Sequence, residues 1–219
     1  MKELPNATKV VVIGGGVSGT SCAYHLAKFG WKDVVLLERD QLTSGTTWHA
    51  AAGLVSQLGP SAGITKVRKY SLELYKRLEK EFDFSSGLKL NGALSIATTE
   101  GRWQELKRQA TTAQLYDVNV EVLNLDQIKK IYPIINENNI LGGIFMPGDG
   151  QADPIGVTNL LAKAAKKEGV KIYQNSPIHK ILIKNGRIHG VKLKNHTIEC
   201  EYVVPVSYTH LTLPTILLV

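Results

Sequence analysis

Gly14, Gly16 and Gly19 stand in the order Gly-x-Gly-x-x-Gly, directly after the β-branched run 9–13 and directly before a helical pattern. Each glycine has its own task. The first permits a tight turn, the second lets backbone approach an anion without a Cβ, and the third lets helix and strand pack closely. The amides that follow, on Val17 and Ser18, open a helix. Free first-turn N–H groups and the helix dipole there favour a pyrophosphate. Glu38 ends the next apolar run, about 20 residues beyond the last glycine, and Arg39 follows it. A carboxylate at that place accepts hydrogen bonds from both ribose hydroxyls and repels a 2′-phosphate. The set reads as a dinucleotide site, argues against NADP, and leaves NAD and FAD open.

A second candidate is His49, beside Trp48 in the stretch 41–63, which is rich in Gly, Ser, Thr and Ala. A neutral imidazole nitrogen is a competent nucleophile. Taken alone, a loop histidine is read as a hydrogen-bonding group. His25, His179, His189 and His196 fall on helix or strand faces without evident partners. Asp153 is read as the N-cap of a helix whose first residue is Pro154. Cys22 and Cys200 lack metal-ligand spacing and are read as buried free thiols, suited to a reducing compartment. No metal site and no catalytic base can be named.

These residues need elements to hold them. Strand 9–13, helix 17–29 and strand 33–38 form a right-handed parallel crossover. The helix carries an apolar stripe of Cys22, Ala23, Leu26 and Ala27, and Gly30 ends it. Helices are expected over 64–82, with Val67, Ser71, Leu74 and Leu78 on one face, and over 100–117, striped by Trp103, Leu106, Ala110 and Ala113. A bent strand or strand pair is expected over 88–98, a strand over 140–146 and a helix over 153–168. Four strands follow, at 171–173, 178–183, 187–193 and 197–204, with Asn185-Gly186 as a hairpin turn. The fold class is α/β: a Rossmann-like, discontinuous dinucleotide-binding domain (1–86 and 147–204) interrupted by a mixed α+β insertion (87–146). The last strands return to the first sheet.

The chain has 219 residues, 43% hydrophobic and 21% charged, enough for one large domain or two small ones. Its formal charge of +7 is scattered, with no long run of one sign, which argues against a nucleic-acid partner. No segment reads as a membrane span, a signal peptide or a targeting leader. The expected location is cytoplasmic, or the mitochondrial matrix for a eukaryotic parent.

The segment Leu42-Thr43-Ser44-Gly45-Thr46-Thr47-Trp48-His49-Ala50-Ala51-Ala52-Gly53-Leu54 resembles the flavin-site segment of the sarcosine and dimethylglycine dehydrogenase family, FAD enzymes of the D-amino-acid oxidase superfamily. Asn91-Gly92-Ala93-Leu94, Tyr132-Pro133 and Asp149–Gly156 continue the likeness, which covers 9–204. The resemblance implies FAD, held by Ser44, Gly45, Thr46, Thr47, Trp48, Ala50 and Ala51, with His49 bonded to the flavin 8α carbon. It also implies that the backbone of Ile178 meets the adenine. The implied activity is oxidation of the C–N bond of sarcosine or dimethylglycine. Hydride passes to flavin N5, and the iminium is hydrolysed to formaldehyde or captured by tetrahydrofolate, the latter only in a longer parent. An electron-transfer flavoprotein or oxygen would take the electrons. The alternatives are a non-catalytic regulatory flavoprotein, whose kind lacks the linking histidine, and an amine or amino-acid oxidase with dissociable FAD.

Two departures stand out. An extra small residue separates His49 from Gly53-Leu54. After Val204 the family's small-residue turn is replaced by Pro205-Val206-Ser207-Tyr208, and Pro205 removes a ladder donor. Residues 205–219 are therefore expected to be a non-native tail, and the sheet is expected to fall short of the ligand.

Overall fold

A computed structural model describes residues 3–50 and 53–207. In chain order the elements are β1 (Ala7–Ile13), α1 (Val17–Lys28), β2 (Val34–Leu37), β3 (Leu54–Val55), α2 (Ala62–Phe82), β4 (Ala93–Ala97), α3 (Glu100–Gln114), β5 (Glu121–Leu123), α4 (Leu125–Ile131), β6 (Gly142–Met146), β7 (Gly150–Gln151), α5 (Pro154–Lys167), β8 (Lys171–Tyr173), β9 (Ile178–Lys184), β10 (Arg187–Leu193) and β11 (Thr197–Pro205).

Two units result. The first comprises Met1–Ala51, Leu78–Ser86 and Pro154–Val219; the second comprises Ala52–Arg77 and Gly87–Asp153. Segments 52–77 and 147–153, assigned from the sequence to the nucleotide-binding part, group here with the insertion.

The first unit is built on a six-stranded sheet in the order β8-β2-β1-β11-β10-β9. The four strands β8, β2, β1 and β11 run parallel, and β10 and β9 fold back antiparallel. Val34–Leu37 is buried throughout, as a strand covered on both faces requires. Residues of alternating parity serve opposite faces. Val11, Ile13, Val35 and Leu37 join Val191, Leu193, Ile198 and Cys200 in one core cluster. Val10, Val12, Val34 and Leu36, equally buried, face the other way, and α1 packs on β1 and β2 and against α5. The contact face of α1 is small: Gly19, Thr20, Ala23 and Ala27, with Tyr24. The sequence placed Cys22 and Leu26 in this stripe. Both are only half-buried, and Tyr24 takes the buried place. Phe29 is the C-cap, and Gly30 follows it at φ +87°, the left-handed conformation that ends a helix. Asn185 and Gly186, at φ +52° and +73°, make the two-residue turn between β9 and β10.

The sheet continues further than the sequence predicts. Pro205 stands opposite Ile13 in the β11–β1 ladder, and the Val206 N–H donates to the Ile13 carbonyl at 2.9 Å. Along a strand, successive N–H groups point to opposite sides. With Val206 donating towards β1, the nitrogen of Pro205 faces the side where β10 pairs only with residues 197–199. The missing donor costs no ladder bond, so the strand runs on through Pro205, and Val206 adds one further bond to β1. Residues 208–219 lie outside the described chain.

In the second unit, β4-β6-β5 form an antiparallel sheet with α3 against one face, through Leu106 and Ala110 on Ile144 and Ala97. On the other face Ile128 of α4 lies over Gly143. β3 and β7 make a separate pair. The sequence expectation omits β5 and α4, although Asn124 and Gln127 form a full capping box at the start of α4. On α2, Val67 is 60% exposed, whereas Thr65 is buried, bonded to the Gly59 N–H and the Ser61 carbonyl. Thr65 turns the first turns inward, and Val67 lies about 200° round the helix from it. Among the described residues, no helix is long and apolar enough to cross a membrane.

Both cysteines are free, and burial raises both thiols; Cys200 is pushed up to about 11 from 9.0. The fold favours the neutral thiol at Cys200, so the unfolded chain releases that proton first. The contribution is intact below pH 9 and is lost as pH rises towards 11, by at most about 2–3 kcal/mol. Urea midpoints should fall across that window, and Cys200→Val should remove this part of the slope.

Candidate active site

A cleft of about 520 Å³ opens in the first unit at the ends of β1 and β2. That volume is within the range of small-molecule sites, about 300–1,000 Å³. Its floor is the turn between β1 and α1. Gly14 has φ +118°, and its N–H donates to the Leu37 carbonyl at 2.9 Å. Gly19 presses on the same turn, and a Cβ there would run into the Gly14 carbonyl oxygen. Intrahelical bonding begins with the Thr20 N–H to the Gly16 carbonyl. The N-cap, Gly16, has no side chain to satisfy the first-turn amides that follow it. Thr47 supplies one substitute: its hydroxyl oxygen accepts from the Val17 N–H at 3.2 Å, and a Cβ on Gly16 would lie 2.8 Å from it. The remaining first-turn amides, on Ser18 and Gly19, sit where an open helix end and its dipole favour negative charge.

Glu38 forms the adjoining wall. One carboxylate oxygen accepts from the Gly15 N–H at 2.5 Å and the other from the Asp40 N–H at 3.0 Å. Each oxygen keeps a lone pair for a further donor. The middle glycine is as constrained as its neighbours: a Cβ on Gly15 would meet the Glu38 stem at 2.8 Å. Arg39, also on the wall, points outward to an exposed pair with Asp40.

The third wall is the segment 43–50. The Thr43 N–H donates to the Gly15 carbonyl at 3.1 Å, with Thr43 at φ +72°, and the Leu42 N–H donates to the Gln174 side chain. Ser44, Gly45, Thr46, Thr47, His49 and Ala50 line the cleft. The imidazole Nδ1 of His49 sits 3.1 Å from the Gly45 carbonyl. A carbonyl only accepts, so Nδ1 carries the proton, and in the neutral ring Nε2 keeps its lone pair. Trp48 is not on the wall. It is 56% exposed and lies against the His49 ring, centroids 4.0 Å apart. Ala51 lies outside the described residues.

Ile178 lines the cleft, as do Gly14, Gly16, Val17, Ser18 and Gly19. The sequence expectation lacks Ile13, Gly15, Leu37, Ser176, Val206 and Ser207. Gly15 had a visible signal, the unbroken glycine triplet. Ser176, bonded to the Glu38 carbonyl through its N–H, and Val206, packed against Gly14, reach the cleft only by sheet pairing. Two histidines expected to stand alone have partners: His25 with Ser21, and His196 with the carbonyl of Pro5.

A family model described as FAD dependent oxidoreductase matches residues 9–206. The chain belongs to that family. It is 40% identical over 176 residues to the dimethylglycine dehydrogenase of Rattus norvegicus, covering 80% of this chain and 20% of the relative. Against the sarcosine dehydrogenase of Homo sapiens it is 38% identical over 209 residues, covering 93% and 23%. Against the pyruvate dehydrogenase phosphatase regulatory subunit of Mus musculus it is 36% identical over 201 residues, covering 92% and 23%. The chain thus spans between a fifth and a quarter of these relatives. A crystal structure of L-proline dehydrogenase from P. horikoshii superposes with a TM-score of 0.85 at 30% identity, covering 93% of this chain and 54% of that one. A glycine turn that a Cβ would fill, a helix N-terminus whose Gly16 N-cap offers no side chain, and a carboxylate with spare acceptors fit the ADP half of FAD.

Gly19→Ala is expected to destabilise. In an open helix the change to Ala stabilises by about 0.5–1 kcal/mol, but here the new Cβ meets backbone that cannot yield. A net loss of about 1–3 kcal/mol follows from overpacking. Gly101→Ala, in α3 with open space around it, should raise the urea midpoint or leave it unchanged.

Proposed function

We propose that this chain is the FAD-binding part of an oxidoreductase acting on the C–N bond of an N-methylated glycine, sarcosine or dimethylglycine. What supports the reading is that His49 shares one cleft with the glycine turn and Glu38. The names of the rat and human relatives support the substrate class.

Bound here, FAD would supply a two-electron acceptor for a hydride from the N-methyl carbon. The chain's own residues bind and orient. The Ser18 and Gly19 amides would take the pyrophosphate oxygens, Glu38 the ribose hydroxyls and the Ile178 backbone the adenine. The Thr47 hydroxyl, already fixed on Val17 N–H, would keep the 43–50 segment against α1. His49, its Nδ1–H engaged with Gly45, would offer Nε2 as the atom of the covalent tether at the flavin 8α carbon. Electrons would leave to an electron-transfer flavoprotein or to oxygen, and tetrahydrofolate would act only in a longer parent. For a eukaryotic parent the compartment would be mitochondrial, as in the names of the three relatives.

The mouse regulatory subunit favours a second reading, a non-catalytic flavoprotein of the same fold. The presence of Trp48-His49 favours the first.

Acid denaturation of the purified parent protein separates them. Yellow colour should stay with the precipitated polypeptide, and His49→Ala should release it to the supernatant. Colour released from the unsubstituted protein would reject the tether and favour an oxidase with dissociable FAD. A colourless protein would favour the regulatory reading. Turnover of sarcosine or dimethylglycine with an artificial acceptor is then expected.

A further inference from the structure

The segment 43–50, which carries His49, starts from Leu42, and Leu42 is held by a distant part of the first unit. β8 ends at Tyr173, and residues 174–176 run on beside residues 38–42. The Glu38 N–H donates to the Tyr173 carbonyl at 2.9 Å. The Ser176 N–H donates to the Glu38 carbonyl and the Asn175 N–H to the Asp40 carbonyl, both at 2.8 Å. At Leu42 a side chain takes over: the Leu42 N–H donates to Gln174 Oε1 at 2.7 Å. The two residues are 132 positions apart.

Gln174 thus joins two walls of one cleft without lining it. Ser176 and Ile178, just beyond it, are on the cleft wall. The Ser176 hydroxyl donates to the Gln174 carbonyl at 3.0 Å, which fixes the Gln174 backbone to that wall. On the other side, a Cβ on Gly15 would lie 2.7 Å from Leu42 Cδ2, so the Leu42 side chain rests on the glycine turn. Thr43 follows at φ +72° and donates to the Gly15 carbonyl. The direction in which the chain enters 43–50 is therefore set by two amides, one on Gly15 and one on Gln174. Gln174 is exposed. Water can satisfy the Leu42 N–H in its place, so the bond adds little to global stability. Water does not hold the amide at a fixed point, and Gln174 does.

We propose that Gln174 is a positioning residue for the flavin half of the cofactor: its Oε1 fixes the start of segment 43–50 and, through that segment, the place of His49. The inference rests on the FAD reading above. Only the acceptor oxygen can face an N–H. Gln174→Glu keeps that acceptor, and Gln174→Leu removes it.

The test compares FAD with ADP, which lacks the flavin and does not reach His49. Affinities are measured by calorimetry on the purified parent protein carrying His49→Ala, in which FAD binding is reversible. Adding Gln174→Leu should weaken FAD about threefold to tenfold, the worth of one hydrogen bond, and leave ADP within about twofold. Gln174→Glu should restore the FAD affinity. In the protein that retains His49, Gln174→Leu should slow the rate at which yellow colour becomes acid-stable by at least the same factor, with the urea midpoint unchanged. A general loss of structure would weaken both ligands together. An unmoved ratio of FAD to ADP affinity, equal losses for the two ligands, or a Glu variant as weak as the Leu variant would each overturn the assignment. Binding of both ligands with an unmoved ratio sinks this inference alone, whereas failure to bind either ligand sinks the proposed function with it.

Discussion

Between the carbonyl of Gly14 and the Cα of Gly19 there is no room for a methyl group. That contact sets the angle at which α1 leaves β1, and so decides where the helix's unpaired amides point. It demands small residues nearby, and the buried face of α1 supplies Gly19, Thr20, Ala23 and Ala27. It also demands a backbone turn at φ +118°, which Gly14 adopts without strain. Dispersion and burial between α1, α5 and the sheet then hold the arrangement.

The same turn organises what surrounds it. Gly15 bonds Glu38 through its N–H and Thr43 through its carbonyl. Val17 bonds Thr47. Val206 packs on Gly14 from the far end of the chain. Each wall of the cleft is thus fastened to backbone groups of the β1–α1 turn and the start of α1, two of them through the side chains of Glu38 and Thr47. In the cleft of the second unit Glu105 and Arg108 form a bidentate pair, and Asp149 keeps one buried oxygen without a hydrogen-bond partner among the described residues.

Much of this was legible along the chain because it is local. The glycine spacing, the Asn185-Gly186 turn and the run Val34–Leu37 are decided by residues within one or two turns of one another. Their conformations follow from sterics and burial period. The His49 segment was legible for another reason, a likeness in residue types over a dozen positions, which carries no geometry. The tautomer that leaves Nε2 available depends on Gly45, four residues away, and on the turn that brings its carbonyl round.

The sequence by itself determined most of the elements, the dinucleotide turn and Glu38, since period, propensity and spacing act over short distances. Only the tertiary structure decided which distant groups meet. Thr47 serves as a helix cap thirty residues away, and His196 finds Pro5. Pro205 completes a strand because its nitrogen faces a side that needs no donor. A residue's local rule says what it can do; the register of the sheet decides which neighbour it does it to.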